Sequence, residues 1–296
     1  MKAEVTGILV LDKPPGMTSN AALQHVKRLF RAAKAGHTGA LDPLATGILP
    51  VCLGQATKLS GYLLDADKRY VVRAAAGACT TTGDAEGEVT RRSDAVILAR
   101  AQLEAALPAF TGAIRQRPPM YSALKRDGRP LYELARAGIE VEREARSVRI
   151  DTLRLTAFEP GAFELDVRCS KGTYIRTLVE ELAAAVGQCA HVASLRRIEA
   201  GPFREADLVA PEALERAAAD GPAALQALLL PPLAGLASWR RVAVDETGAR
   251  RLAHGQAVQG EAGTPGLVAV TGAAGALLGI AEQAGDGSLT PRRWMT

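Results

Sequence analysis

Residues 36–58 read GHTGALDPLATGILPVCLGQATK, and the fold turns on how this stretch is read. Gly36, Gly39, Pro43, Gly47 and Pro50 all fall within its first fifteen positions. That density of chain-breaking residues predicts a loop carrying one short helical or strand piece. Glycine also lets backbone approach a ligand closely. Asp42 stands in the middle, in Leu-Asp-Pro-Leu. Asp as cap and Pro in the first turn is a common way to begin a helix, so its immediate neighbours favour a capping role. The glycines around it argue instead for a reactive carboxylate. His37 reads equally well as a loop residue bonded to backbone and as a substrate contact.

Outward from this segment, residues 5–11 predict a buried strand that runs into a Pro-Pro-Gly turn. Residues 19–34 predict a helix with an apolar seam of Leu23, Val26, Phe30 and Ala33. Lys27, Arg28, Arg31 and Lys34 lie mostly opposite, as a solvated face or a phosphate-facing one. Residues 70–78 predict a strand, 80–89 a turn between strands, and 93–107 a helix stopped by Pro108. Residues 114–130 are irregular and basic, and Leu131–Ala137 is a helix. Two more strands are expected at 148–157 and 162–169, the second alternating Phe163, Leu165, Val167 and Cys169 with polar residues. A Ser-Lys-Gly-Thr turn leads into a helix ended by Gly187. Residues 211–230 are helical up to Pro231-Pro232. The C-terminal remainder is Gly-rich and strand-like, apart from a short helix near 245–253. Adjacent strands point to an α+β fold rather than a parallel doubly wound sheet.

Composition narrows the class. The chain has 296 residues, 48% apolar and 23% charged, which excludes disorder over its length. Its four cysteines form no CxxC pair, so neither a disulfide framework nor a zinc cluster is expected. The N-terminal MKAEVTGILVLDKPPG lacks a signal-peptide pattern, and a cytoplasmic location is expected. Residues 262–281 carry no charge, but their five glycines and Pro265 predict a β-hairpin rather than a membrane span.

The net charge of +4 is unevenly placed. From Lys13 to Leu41 there are five cations and no acid; from Ile114 to Arg149 there are nine Arg or Lys against five acids. The segment 245–296 has four Arg against five acids. Two basic zones in the first half are the footprint expected for a polyanion.

Phosphate-loop, dinucleotide, metalloprotease and serine-hydrolase motifs are all missing. The candidates left for acid–base or nucleophilic work are His37, Asp42, Tyr70, Lys171, Tyr174 and Arg176. Arg176 opens a helix, where a cation opposes the helix dipole; a buried carboxylate partner would explain it. Tyr70 and Tyr174 read as satisfied core residues or as stacking platforms in an aromatic-poor chain.

LDKPPGMTSN (11–20), GHTGALDPLATGILPVCLGQATK (36–58), DKRY (67–70), CSKGTYIRTL (169–178) and SLRR (194–197) together resemble the TruB family. These are bacterial tRNA pseudouridine synthases acting on the T-loop uridine conventionally numbered 55. The resemblance runs in order from about residue 6 to about residue 200. It implies a mixed, mainly antiparallel central sheet with flanking helices at 1–237. It implies an RNA-clasping insertion at about 114–146 and a small β-rich, PUA-like RNA-binding domain at 238–296. It implies that Asp42 is catalytic, that Tyr70 stacks on the target base and that Arg176 pairs with Asp42. His37, Tyr174 and Leu195 become further substrate contacts. The isomerisation gains and loses no atoms, so no cofactor and no metal are expected. The implied partner is the tRNA T-arm stem-loop, bound by a monomer, with no DNA or membrane partner. Two alternatives stay open: a tRNA-binding protein without chemistry, and a guide-dependent rRNA pseudouridine synthase.

Overall fold

The computed structural model describes residues 5–295. The chain begins with β1 (Gly7–Lys13), α1 (Ser19–Leu29), β2 (Ala35–His37), β3 (Thr46–Leu53), α2 (Ser60–Leu64) and β4 (Lys68–Ala76). The hairpin strands β5 (Ala78–Thr80) and β6 (Val89–Arg92) come next, then α3 (Arg100–Ala106) and β7 (Gly112–Gln116). The basic segment holds β8 (Lys125–Arg126), β9 (Arg129–Pro130) and α4 (Leu131–Arg136). Beyond it lie β10 (Arg146–Glu159), β11 (Ala162–Cys169), α5 (Ile175–Ala185), β12 (Ala190–Ala200), β13 (Phe203–Arg204), α6 (Pro211–Asp220) and α7 (Pro222–Ala227). The C-terminal part holds β14 (Arg241–Ala243), α8 (Glu246–Ala253), β15 (Val258–Gln259), β16 (Gly266–Thr271), β17 (Leu277–Gln283) and β18 (Ser288–Trp294).

Among the described residues the large sheet runs β1-β3-β12-β4-β11-β10-β7, with β2 beside β3 and β13 beside β12. Every pairing is antiparallel except β3 with β12. The fold is thus the expected mixed, mainly antiparallel sheet with helices. β1 and β3 are buried on both faces, and this explains their unbroken apolar runs. Leu9, Leu11, Leu49, Val51 and Leu53 face the main core, and Ile8, Val10, Ile48 and Cys52 face a second one. The β1 edge is partly covered by backbone bonds to Leu230 and Val209.

The second core joins the large sheet to the C-terminal β-rich domain, consistent with a PUA-like module, whose five strands run β14-β16-β17-β18-β15. Ala269 and Ile280 of that domain are fully buried beside Ile8, Val10 and Phe203. Trp239 packs edge-on against Tyr62 with ring centroids 5.3 Å apart. Residues 262–281 form the expected hairpin of β16 and β17. Among the described residues no helix is long and apolar enough to cross a membrane.

Four local expectations need correction. Residues 36–58 are not mainly loop, because β2 takes Gly36 and His37, β3 takes Thr46–Leu53 despite Gly47 and Pro50, and a 3-10 turn takes the rest from Gly54. The parallel contact with β12 explains Gly47: its φ is +94°, and a Cβ there would lie 2.3 Å from the Arg197 carbonyl oxygen. The first helix ends at Leu29 rather than near residue 34, because Arg31 takes a positive φ of 50°. Ala32 is therefore buried and Ala33 exposed. The helix expected over 93–107 begins only at Arg100. That expected over 211–230 is split into α6 and α7 at Gly221.

Candidate active site

Asp42 caps no helix. Residues 38–45 form a loop, and Asp42 uses its carbonyl only to close a turn on the Ala45 amide, 3.1 Å away. The capping alternative is therefore wrong, and the side chain is free for another task. It is met from α5 by Arg176. Arg176 Nε lies 2.9 Å from Asp42 Oδ2, and Nη2 donates to Oδ1 at 3.0 Å. One charge-assisted hydrogen bond and one close ion-pair contact thus hold the two groups together. The pair is asymmetric: the arginine side chain is 5% exposed and the aspartate 35%. One partner is locked in the protein while the other keeps an open side toward solvent. Burial pushes the Asp42 carboxyl above its ordinary range, Arg176 pulls it back, and Asp84 pushes it up again.

Arg176 is itself held from all sides. Nη1 donates to the Thr82 carbonyl at 2.6 Å and Nη2 to the Tyr121 carbonyl at 2.8 Å. Asp84, buried in the turn between β5 and β6, lies 3.8 Å from Nε. Thr82 Oγ1 and the Glu86 amide donate to Asp84 Oδ1 at 2.5 and 3.1 Å. A buried cation at the start of a helix thus has two carboxylates and two carbonyls to offset the dipole.

The Asp42 loop is tied down by three further residues. Ser19, at the start of α1, donates through Oγ to the Leu41 carbonyl and accepts from the Leu41 amide, at 2.9 and 2.7 Å. Lys13 is fully buried, and its Nζ donates to the carbonyls of Pro14, Met17 and Pro43. Burial lowers its pKa to about 8. Arg197, also buried, donates to the carbonyls of Ile48 and Gly39 at 2.7 and 3.0 Å. Lys13 spends its donors on loop carbonyls, and Arg197 ties the β3 carbonyl of Ile48 to the loop carbonyl of Gly39.

The remaining sequence-selected residues gather unevenly around this frame. Tyr70 lies on β4 in register with Val167 and Arg197, and is 9% exposed within the main core. Its hydroxyl faces Arg197; burial raises its pKa, while Arg197 opposes the rise. Tyr174 precedes α5, and Gln116 binds its backbone twice, donating to its carbonyl at 3.0 Å and accepting from its amide at 2.7 Å. Burial raises the Tyr174 hydroxyl too. His37 ends β2, and its Nδ1 is buried with no hydrogen-bond partner among the described residues. Burial and then Arg197 hold the ring below its ordinary pKa, so the neutral form is favoured. Leu195 is a core residue, 6% exposed and in register with Val72. Lys171 lies apart, in an exposed ion pair with Asp65. Among the described residues no cluster of His, Cys, Asp or Glu is arranged to hold a metal.

Sequence reasoning missed Asp84, Lys13, Arg197, Ser19 and Gln116. Lys13, Ser19 and Arg197 lie inside the motifs LDKPPGMTSN and SLRR, which assigned them no role, and Asp84 and Gln116 gave no signal.

A family model described as the TruB family pseudouridylate synthase N-terminal domain matches residues 27–175, just over half of the chain. The chain belongs to the TruB family. Models for the tRNA pseudouridylate synthase B C-terminal domain and the pseudouridine synthase II TruB C-terminal domain match 176–236 and 241–295. Relatives named tRNA pseudouridine synthase B include that of Pseudomonas aeruginosa strain UCBPP-PA14. It is 55% identical over 99% of this chain and 97% of its own. That of Stutzerimonas stutzeri strain A1501 is 56% identical over 99% and 96%. Among solved structures, a Cbf5–Nop10–Gar1 complex matches with a TM-score of 0.76 at 24% identity, covering 98% of this chain and 85% of that one. An H/ACA ribonucleoprotein bound to a substrate RNA containing 2′-deoxyuridine matches at 0.75 and 22%, covering 98% and 85%. Likeness to these structures is one of fold. This TruB chain is far nearer in sequence to its bacterial relatives than to the Cbf5 complexes.

Proposed function

We propose that this TruB protein converts the T-loop uridine of tRNA, conventional position 55, to pseudouridine, with Asp42 as the catalytic carboxylate. The observation that carries the reading is the Asp42–Arg176 pair, a half-open carboxylate clamped by a buried guanidinium. Isomerisation breaks the N1–C1′ bond, turns the base and rejoins it through C5. Asp42 acts in its ionised form, whether on the ribose or on the ring. Arg176 keeps that form populated against burial and fixes where the carboxylate points.

A uridine inside a folded loop must first be extruded, at a cost of a few kcal/mol. Tyr70 stacks on the extruded base. The unpartnered Nδ1 of His37 is assigned to the flipped nucleotide, which would satisfy it. Tyr174 borders the site, and Leu195 forms its apolar floor. The exposed arginines of the 114–146 insertion clasp the phosphates of the T-arm. The catalytic unit is placed at 1–237 and the RNA-binding unit at 238–296. The protein works as a cytoplasmic monomer without a cofactor.

The test is to map pseudouridine in an unmodified tRNA transcript and in its isolated T-arm stem-loop, with and without the protein. A single new pseudouridine at the T-loop uridine of both is expected. Modification elsewhere only would overturn the position, and none at all would favour a binding protein without chemistry.

A further inference from the structure

Arg176 and Glu180 lie one turn apart on α5 and share a face of that helix. Arg176 reaches Asp42, and Glu180 reaches the back of the turn that serves Arg176. The Glu180 carboxyl group occupies the space beside Gly83 that a side chain there would enter. A Cβ at Gly83 would meet Glu180 Cδ, Oε1 and Oε2, each at 3.2 Å. Gly83 has a φ of +74°. It sits between Thr82, whose carbonyl accepts from Arg176, and Asp84, whose carboxylate faces Arg176 Nε. Among the described residues no hydrogen bond or ion pair ends on the Glu180 carboxyl group, although it is half-buried.

The charges around it do not balance. One guanidinium is faced by the carboxyl groups of Asp42, Asp84 and Glu180. On its own helix Glu180 faces Arg176 and Glu181, and from the β5–β6 turn it faces Asp84. α3, β4 and β12 also pack on α5, and among the described residues no charged group of theirs acts on it. With several carboxyl groups around one buried cation, the favoured state is one in which one of them holds a proton. Burial pushes Glu180 up to about 7, against the pull of Arg176.

We propose that Glu180 is a positioning residue that sets how firmly Arg176 holds Asp42. Neutral, it leaves the guanidinium to Asp42. Ionised, it draws the guanidinium toward the back of the Thr82–Asp84 turn and loosens that hold. The inference rests on the reaction proposed above for Asp42.

The experiment is single-turnover pseudouridine formation on tRNA at saturating enzyme, from about pH 6 to about pH 8.5, for the wild type and Glu180→Gln. Glutamine mimics the neutral acid. The ratio of the two rates should be near one on the acid side and change several-fold on the alkaline side, with a midpoint near 7. A ratio displaced by the same factor at every pH would mean packing alone and would overturn the proposal. A ratio of one throughout would overturn it too. Should Glu180→Gln fail to fold, Glu180→Asp serves: the wild-type inflection should move to a different pH, and an unmoved one contradicts the proposal. A wild type that makes no pseudouridine at any pH fails a different claim, the reaction itself, and is told apart by that.

Discussion

The Asp42 loop and the 114–146 insertion look alike in sequence, both rich in breakers and poor in regular periodicity, yet they use charge in opposite ways. Around Asp42 the cations Lys13, Arg176 and Arg197 are buried and spend their donors on named carbonyls and carboxylates. In the insertion Arg117, Lys125, Arg126, Arg129 and Arg136 are exposed. Where these arginines bond at all, it is locally, as Arg126 does with the Glu142 carbonyl at 2.6 Å. The insertion has little core of its own beyond Leu131 and Leu134. Buried charge positions one carboxylate; on the function proposed above, the exposed charge serves the RNA. Mutations in the two regions should therefore fail in different ways.

The largest effect is expected at Arg176. Arg176→Ala leaves Asp42 and Asp84 facing each other without their cation, and should cost about 3–5 kcal/mol of stability in denaturant titration. A loss under about 1 kcal/mol would mean that the pair is not a buried clamp. Lys13→Met should come next, at about 2 kcal/mol, because three carbonyls lose their donor.

Glu180 gives a pH-dependent stability term. Its folded pKa is raised to about 7 from 4.5, so the folded state binds more protons between those values. Stability from this group is present below pH 4.5 and is lost as pH rises through 7. Glu180→Gln should therefore gain thermal stability over the wild type progressively from about pH 5 to about pH 8. A difference that is constant with pH would show that the carboxyl does not titrate in that window.

The smallest effect on stability belongs to the insertion. Arg126→Ala with Arg129→Ala should change unfolding by less than about 0.5 kcal/mol. It should nonetheless flatten the dependence of log K for tRNA on log salt by roughly one or two units. An unchanged salt slope would make the insertion an ordinary solvated loop and dissolve the contrast.

The sequence was legible where one residue type had one physical use. β1, β4, β10, β11 and the β16–β17 hairpin announced themselves through apolar runs or alternation. Asp42 and Arg176 stood out through their motifs, and Arg176 also because a cation at a helix start demanded a partner. Legibility failed where the reason lay across the fold. β3 was hidden by Gly47 and Pro50, and Gly47 is there because Arg197 of β12 passes against it. Asp84 sits in an ordinary-looking TTTGDAEG turn, and only the arrival of α5 gives it a cation. Gln116 closes a basic strand, and its role depends on Tyr174, fifty-eight positions away.

If Asp42 does the chemistry while remote exposed arginines do the binding, the two can be separated by one substitution. Asp42→Asn under single-turnover conditions, with tRNA held saturating, makes that separation. The tRNA should bind at near wild-type affinity, the thermal midpoint should move little because no helix cap is lost, and no pseudouridine should form. Turnover surviving at even roughly a tenth of the wild-type rate, a deficit of only about 1.4 kcal/mol, would contradict the assignment of Asp42.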